Sequence, residues 1–200
     1  MYRPPFKKLE TQNKEELLNI IKEIKLRLTE LRDIMEHPNY KCTKCPSELT
    51  MYKCDRDFLN MAITRYLALG GEYKYDDKEL ANIEFNEKVE QINKITLTAG
   101  GCLSLKDEVE VRFIGDEVRI IFRNEEIVSN YDKASFFKEL EDLYIGEWQN
   151  EYSPDRFGIY ILDGVEWELK IKYYDGTEKE YGGYNAYPYN YKDLLALMGL

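Results

Sequence analysis

The run Val165-Glu166-Trp167-Glu168-Leu169-Lys170-Ile171-Lys172-Tyr173 restricts this chain more than any other stretch. Its strict alternation puts Val165, Trp167, Leu169, Ile171 and Tyr173 on one side of an extended strand and Glu166, Glu168, Lys170 and Lys172 on the other. A strand with one apolar and one charged face belongs to a sheet covered on one side only, which is the habit of antiparallel sheets. Asp163-Gly164 before it and Asp175-Gly176 after it are hairpin signals, because both residue types tolerate positive φ, so the strand is expected to lie between two neighbours.

The rest of the chain predicts an α+β protein in which a helical N-terminal part precedes that sheet. Residues 1–12 read as a loose, polar N-terminus. Asn13 followed three residues later by Glu16 resembles a capping box. Leu17, Ile20, Ile21, Ile24, Leu28, Leu31 and Met35 then recur at helical spacing, up to a stop at His37-Pro38. A second helix is expected from about Asp55 to Leu69, with Phe58, Met61, Ala62, Tyr66 and Leu69 inward and Gly70-Gly71 at its end. Residues 13–75 thus form a helical hairpin carrying a cysteine cluster, and residues 76–200 an antiparallel-sheet domain packed by helices.

In that domain a short helix is expected over 77–90, followed by strands at 91–98, 108–114 and 117–123 with a tight turn at Gly115-Asp116. Asp132 is expected to cap a helix carrying Phe136, Phe137, Leu140 and Leu143. Further strands are expected at 157–162, 165–174 and 177–182, with a last helix from about Asn190 to Met198.

The spacing His37-x4-Cys42-x2-Cys45-Pro46-x7-Cys54-x2-Asp57 predicts a structural zinc site. Cys42 and Cys45 form the knuckle, Cys54 supplies a third thiolate, and His37, or less usually Asp57, supplies the fourth ligand. A metal would also order a connection of about 17 residues, long for a compact domain. Surface thiols without a metal, or a redox-active pair, are the competing readings. Cys102 stands apart and reads as a small buried residue.

Catalytic equipment is sparse. The chain has one histidine, which the zinc reading consumes, and neither GxxxxGK[ST] nor GxGxxG occurs. Glu147, Glu151, Asp155 and Asp163 near Trp148 and Tyr152 are the candidates for a carboxylate pair. The start of the chain lacks an apolar signal region and no apolar run approaches the roughly 20 residues of a membrane span, so a cytoplasmic protein with no membrane partner is expected.

Charge is placed unevenly. Residues 1–75 hold 14 Lys and Arg against 11 Asp and Glu; residues 76–200 hold 14 against 27, a balance of -13. Such a body repels a phosphate backbone, so no direct nucleic-acid contact is expected, and a basic or nucleic-acid-binding protein is the natural partner. The C-terminal block adds Tyr181, Tyr184, Tyr187, Tyr189 and Tyr191 within eleven residues. With Trp148, these are the candidate partner-binding residues, because tyrosine offers large contact area at low entropic cost. Packing over the open sheet edge is the alternative use for them.

Ile145-Gly146-Glu147-Trp148, Arg156-Phe157-Gly158, Leu162-Asp163-Gly164, Trp167-Glu168-Leu169, Tyr174-Asp175-Gly176 and Gly183-Tyr184-Asn185-Ala186-Tyr187-Pro188 together resemble a C-terminal module of uncharacterised gram-positive bacterial proteins. The resemblance implies a bacterial or mobile-element source and carries over no site residues. The expectation is a non-enzymatic acidic protein-binding module, in one concrete version a phage or mobile-element inhibitor that mimics nucleic acid in the groove of a host defence nuclease. A carboxylate-dependent hydrolase or nucleotide-processing enzyme, and a tyrosine-lined nucleotide sponge, are the competing classes.

Overall fold

The computed structural model describes residues 9–101 and 106–200; Cys102 and the first eight residues lie outside the described part. The chain divides into two compact units, Met1–Tyr75 and Asp76–Leu200.

The first unit pairs two helices, α1 (Lys14–Glu36) and α2 (Glu48–Ala68). Asn13 accepts the Glu16 amide while the Glu16 carboxylate accepts the Asn13 amide, closing the expected capping box. The apolar stripe of α1 is buried from Leu17 to Met35. α2 begins earlier than expected because Ser47 caps it, accepting from the Thr50 amide, and its inward face keeps the expected Ala62 and Tyr66. Tyr52, Leu59, Ala62, Ile63 and Tyr66 are buried, whereas Met61 is exposed and Cys54 sits inside the helix rather than at its start. Asp55 is wholly buried on this face and pairs with Arg27 at 2.8 Å. Burial pushes the Asp55 carboxyl above the ordinary range against the pull of Arg27.

The second unit is built on a seven-stranded sheet in the order β4-β3-β2-β1-β6-β7-β5. The strands are β1 (Ile92–Gly101), β2 (Asp107–Ile114), β3 (Glu117–Phe122), β4 (Glu125–Asp132), β5 (Glu151–Tyr152), β6 (Val165–Tyr173) and β7 (Glu178–Tyr184). All neighbours are antiparallel except β5, a two-residue strand parallel to β7. β6 lies between two neighbours as its alternation requires. The Asp175-Gly176 turn leads into β7, but the other neighbour is β1 and not the segment before Asp163-Gly164. Residues 157–162 correspondingly form no strand: the Pro154–Phe157 turn of 3-10 helix is followed by an irregular loop. β4 lay outside the sequence expectation altogether.

Helices α3 (Asp77–Lys88), α4 (Lys133–Asp142) and α5 (Tyr191–Leu197) accompany the sheet. One sheet face carries Ile95, Leu97, Val109, Val111, Phe113, Val118, Ile120, Leu169 and Ile171 into a core shared with Phe85, Phe136, Leu140 and Leu194. The other face is polar and laced with ion pairs. Lys94 and Arg112 both bind Glu110, Arg119 binds Glu117 at 3.0 Å and Glu126 at 2.7 Å, and Lys170 binds Glu168 at 3.2 Å and Glu180 at 3.1 Å. Among the described residues no helix is long and apolar enough to cross a membrane.

Candidate functional site

The connection between α1 and α2 is ordered by a buried carboxylate. Glu48, at the first position of α2, accepts from the Tyr40 hydroxyl at 2.9 Å and pairs with Lys44 at 3.1 Å. Its own helix-terminal amide, then Tyr40, then Lys44 hold its carboxyl below the usual range, while burial, then Glu48 and Cys42, push the Tyr40 hydroxyl up. The predicted metal ligands flank this arrangement without meeting. Cys42 and Cys45 are exposed thiols, Cys54 is a half-buried one, Asp57 is exposed, and His37 Nδ1 accepts the Asn39 amide at 3.1 Å. Among the described residues no three His, Cys, Asp or Glu side chains converge where a metal ion would be held. The residues as placed therefore do not present the tetrahedral set that zinc requires.

The C-terminal block is the most elaborate piece of the second unit, and its centre is Trp167. The indole nitrogen donates to the Ala186 carbonyl at 2.8 Å, and the ring is stacked with Tyr187 and contacts Trp148, Tyr152 and Tyr191. Gly183 passes directly beneath: a Cβ there would lie 2.6 Å from the Trp167 nitrogen and 2.7 Å from the Ala186 carbonyl. Trp148 donates to buried Asn190 at 3.1 Å, and the Asn190 amide donates to the Leu143 carbonyl at 2.6 Å. Of the six candidate partner-binding residues, Trp148, Tyr181 and Tyr191 are therefore spent inside the core, where burial pushes both tyrosine hydroxyls up; Tyr184, Tyr187 and Tyr189 remain half-buried. Tyrosine-rich composition signals contact area, and here much of that area faces the protein's own tryptophans.

Asn185 explains why the Asn-Ala-Tyr-Pro step is built as it is. Held at φ 49°, it accepts the Val165 amide at 2.9 Å through Oδ1, donates to the Asp163 carbonyl at 3.4 Å, and its own amide donates to the Val165 carbonyl at 2.9 Å. Gly164 lies so close that any Cβ would overlap the Asn185 amide. This clamp fixes the exit of the loop 158–164. Its entrance is fixed by Gly158, whose amide donates to the Asp155 carbonyl at 2.8 Å, and by the Ile159 amide on the Pro154 carbonyl at 3.3 Å.

Between those fixed stems Tyr160 is 84% exposed and Leu162 fully exposed, and residues 160–162 make no backbone hydrogen bond among the described residues. Exposed carboxylates at Glu151, Asp155 and Asp163 flank the loop, while Glu147 is buried. The sequence signal for this loop was present in Phe157-Gly158-Ile159-Tyr160-Ile161-Leu162, but it reads as a strand because β-prone residues look alike whether or not a partner strand exists. Comparison of the chain with family models, with curated proteins and with solved structures returns no match in any of the three.

Proposed function

We propose that this chain is a protein-binding module that recognises a basic partner through the clamped loop 158–163. The observation that carries the reading is the pairing of two rigid stems with a tip that offers Tyr160 and Leu162 to solvent. A large apolar side chain offered from a loop held at both stems is a form that interface anchors take, because the stems limit the ordering entropy lost on binding. Charge selects the partner. At least eight of the 14 cations of residues 76–200 are held in ion pairs, whereas Glu108, Glu125, Glu151 and Glu178 take none among the described residues. The surplus negative potential suits a nucleic-acid-binding groove, whose own ligand is a polyanion. Occupancy of a defence nuclease by charge mimicry is one concrete form of this reading.

The test is affinity capture from a bacterial lysate by the wild type and by a Tyr160→Ser, Leu162→Ser variant whose fold is checked by circular dichroism. A basic protein retained by the wild type, weakened by added salt and lost with the variant is the expected result. An identical set of captured proteins for both forms would refute the reading. No metal step enters it. Zinc at His37, Cys42, Cys45 and Cys54 requires the loop between α1 and α2 to rearrange, and metal analysis of protein purified without added zinc tests that: one equivalent supports the site, and none removes it.

A further inference from the structure

The sheet ends differently on its two sides. β7 is followed by the short parallel strand β5, whereas β4 is terminal, bonded to β3 alone. The β3–β4 turn is Arg123-Asn124, both at positive φ (50° and 65°), which defines a two-residue type I′ hairpin. In such a hairpin Phe122 and Glu125 exchange both backbone bonds, and the pattern alternates from there. Ile127 therefore bonds inward to Ile120, while the N–H and C=O groups of Glu126 and Val128 point away from the sheet. A register shift between Glu117 and Arg119 ends the regular edge beyond Val128. Around these outward groups Ile127 is 60% and Val128 58% exposed.

Edges of this kind are commonly guarded by lysine or proline, and β4 has neither in Glu125-Glu126-Ile127-Val128-Ser129-Asn130-Tyr131-Asp132. It carries three acids and no base. Glu126 is engaged by Arg119 and Asp132 caps α4, but Glu125 takes no ion pair among the described residues. A second copy of this strand would set two acidic strands side by side, neither of which carries a base of its own, which disfavours self-pairing. The chemistry that fits is an extended segment with one apolar and one cationic face, its apolar residues beside exposed Val128 and its cations on the other face beside Glu125, whose carboxylate takes no ion pair among the described residues.

We propose that the outer edge of β4 is a strand-addition site for a basic, alternating segment of a partner protein. Main-chain bonds to Glu126 and Val128 supply the attachment and the side chains on the two faces supply the selectivity. The site lies at the opposite end of the sheet order from β7 and β5, and it stands or falls independently of the loop 158–163.

The experiment uses the full chain and two capped heptapeptides, one alternating lysine with valine and one alternating lysine with glycine, which share charge but not strand propensity. Amide exchange is followed by NMR. With the lysine-valine peptide at about ten times its Kd, exchange at Glu126 and Val128 slows by roughly tenfold while Ile127, already bonded inward, changes little. Val128→Pro, which removes an outward N–H without touching a β3 bond, abolishes this protection. Equal binding by the lysine-glycine peptide, absence of protection at the two amides, or protection that rises with protein concentration when no peptide is added would each overturn the proposal. The wild-type exchange pattern decides the matter even where the proline variant does not fold. Peptide binding lost on Leu162→Ser but retained in Val128→Pro would place the contact on the loop instead.

Discussion

Replacing Asn190 by alanine tests the account of the aromatic block most directly. Asn190 is buried and makes two bonds of opposite sense, accepting from the Trp148 indole at 3.1 Å and donating to the Leu143 carbonyl at 2.6 Å. Alanine leaves a buried N–H and a buried C=O without partners, each costing about 1–3 kcal/mol. The expected loss is therefore about 3–4 kcal/mol, a large share of the roughly 6–19 kcal/mol that a unit of this size possesses. Both tryptophans of the chain, Trp148 and Trp167, sit in this block, so guanidinium unfolding followed by tryptophan fluorescence reads the second unit alone. A double-mutant cycle with Trp148→Phe isolates the indole bond, with an expected coupling of about 1–2 kcal/mol. A loss below about 1 kcal/mol for Asn190→Ala, or strict additivity with Trp148→Phe, would refute the claim that Asn190 ties these elements together.

Three further outcomes follow from other parts of the molecule. Asp55→Ala, which removes the buried carboxylate paired with Arg27, is expected to lower stability by about 3 kcal/mol, with Asp55→Leu plus Arg27→Met recovering most of the loss in denaturant titrations. The Glu48 carboxyl is held below its ordinary value, so its contribution is complete above the usual glutamate range near pH 4.3 and fades as pH falls through the lower folded value. Glu48→Gln should flatten that acid limb of a stability-against-pH curve, and an unchanged limb would contradict the assignment. Gly183→Ala should cost about 1–3 kcal/mol and shift the tryptophan emission, because its Cβ collides with Trp167 and the Ala186 carbonyl.

What the sequence disclosed depended on whether a residue's role was local. The alternation of β6, the Asn13 and Asp132 caps and the Gly115-Asp116 turn are set by neighbours within a few residues, and each is found where it was expected. β4 was missed because Glu125 to Asp132 shows no alternation; at a sheet edge neither face is buried enough to demand one. Residues 157–162 were misassigned because strand propensity says nothing of whether a partner edge is available. The tyrosines show a third kind of loss. Tyr191 is inside because Trp167 lies against it and Tyr181 because Trp148 does, relations no spacing along the chain encodes.

The position of β6 in the sheet bears on how the molecule is made. Strands β1 to β4 emerge from a ribosome as a consecutive meander, yet β1 stays without its second neighbour until residue 173 has been synthesised. Throughout that interval the growing polypeptide displays an incomplete platform whose longest unsatisfied border awaits a segment not yet translated. Premature termination anywhere between Asp132 and Val165 would thus release a fragment prone to clumping, and the nascent chain has reason to need a holding chaperone until β6 arrives.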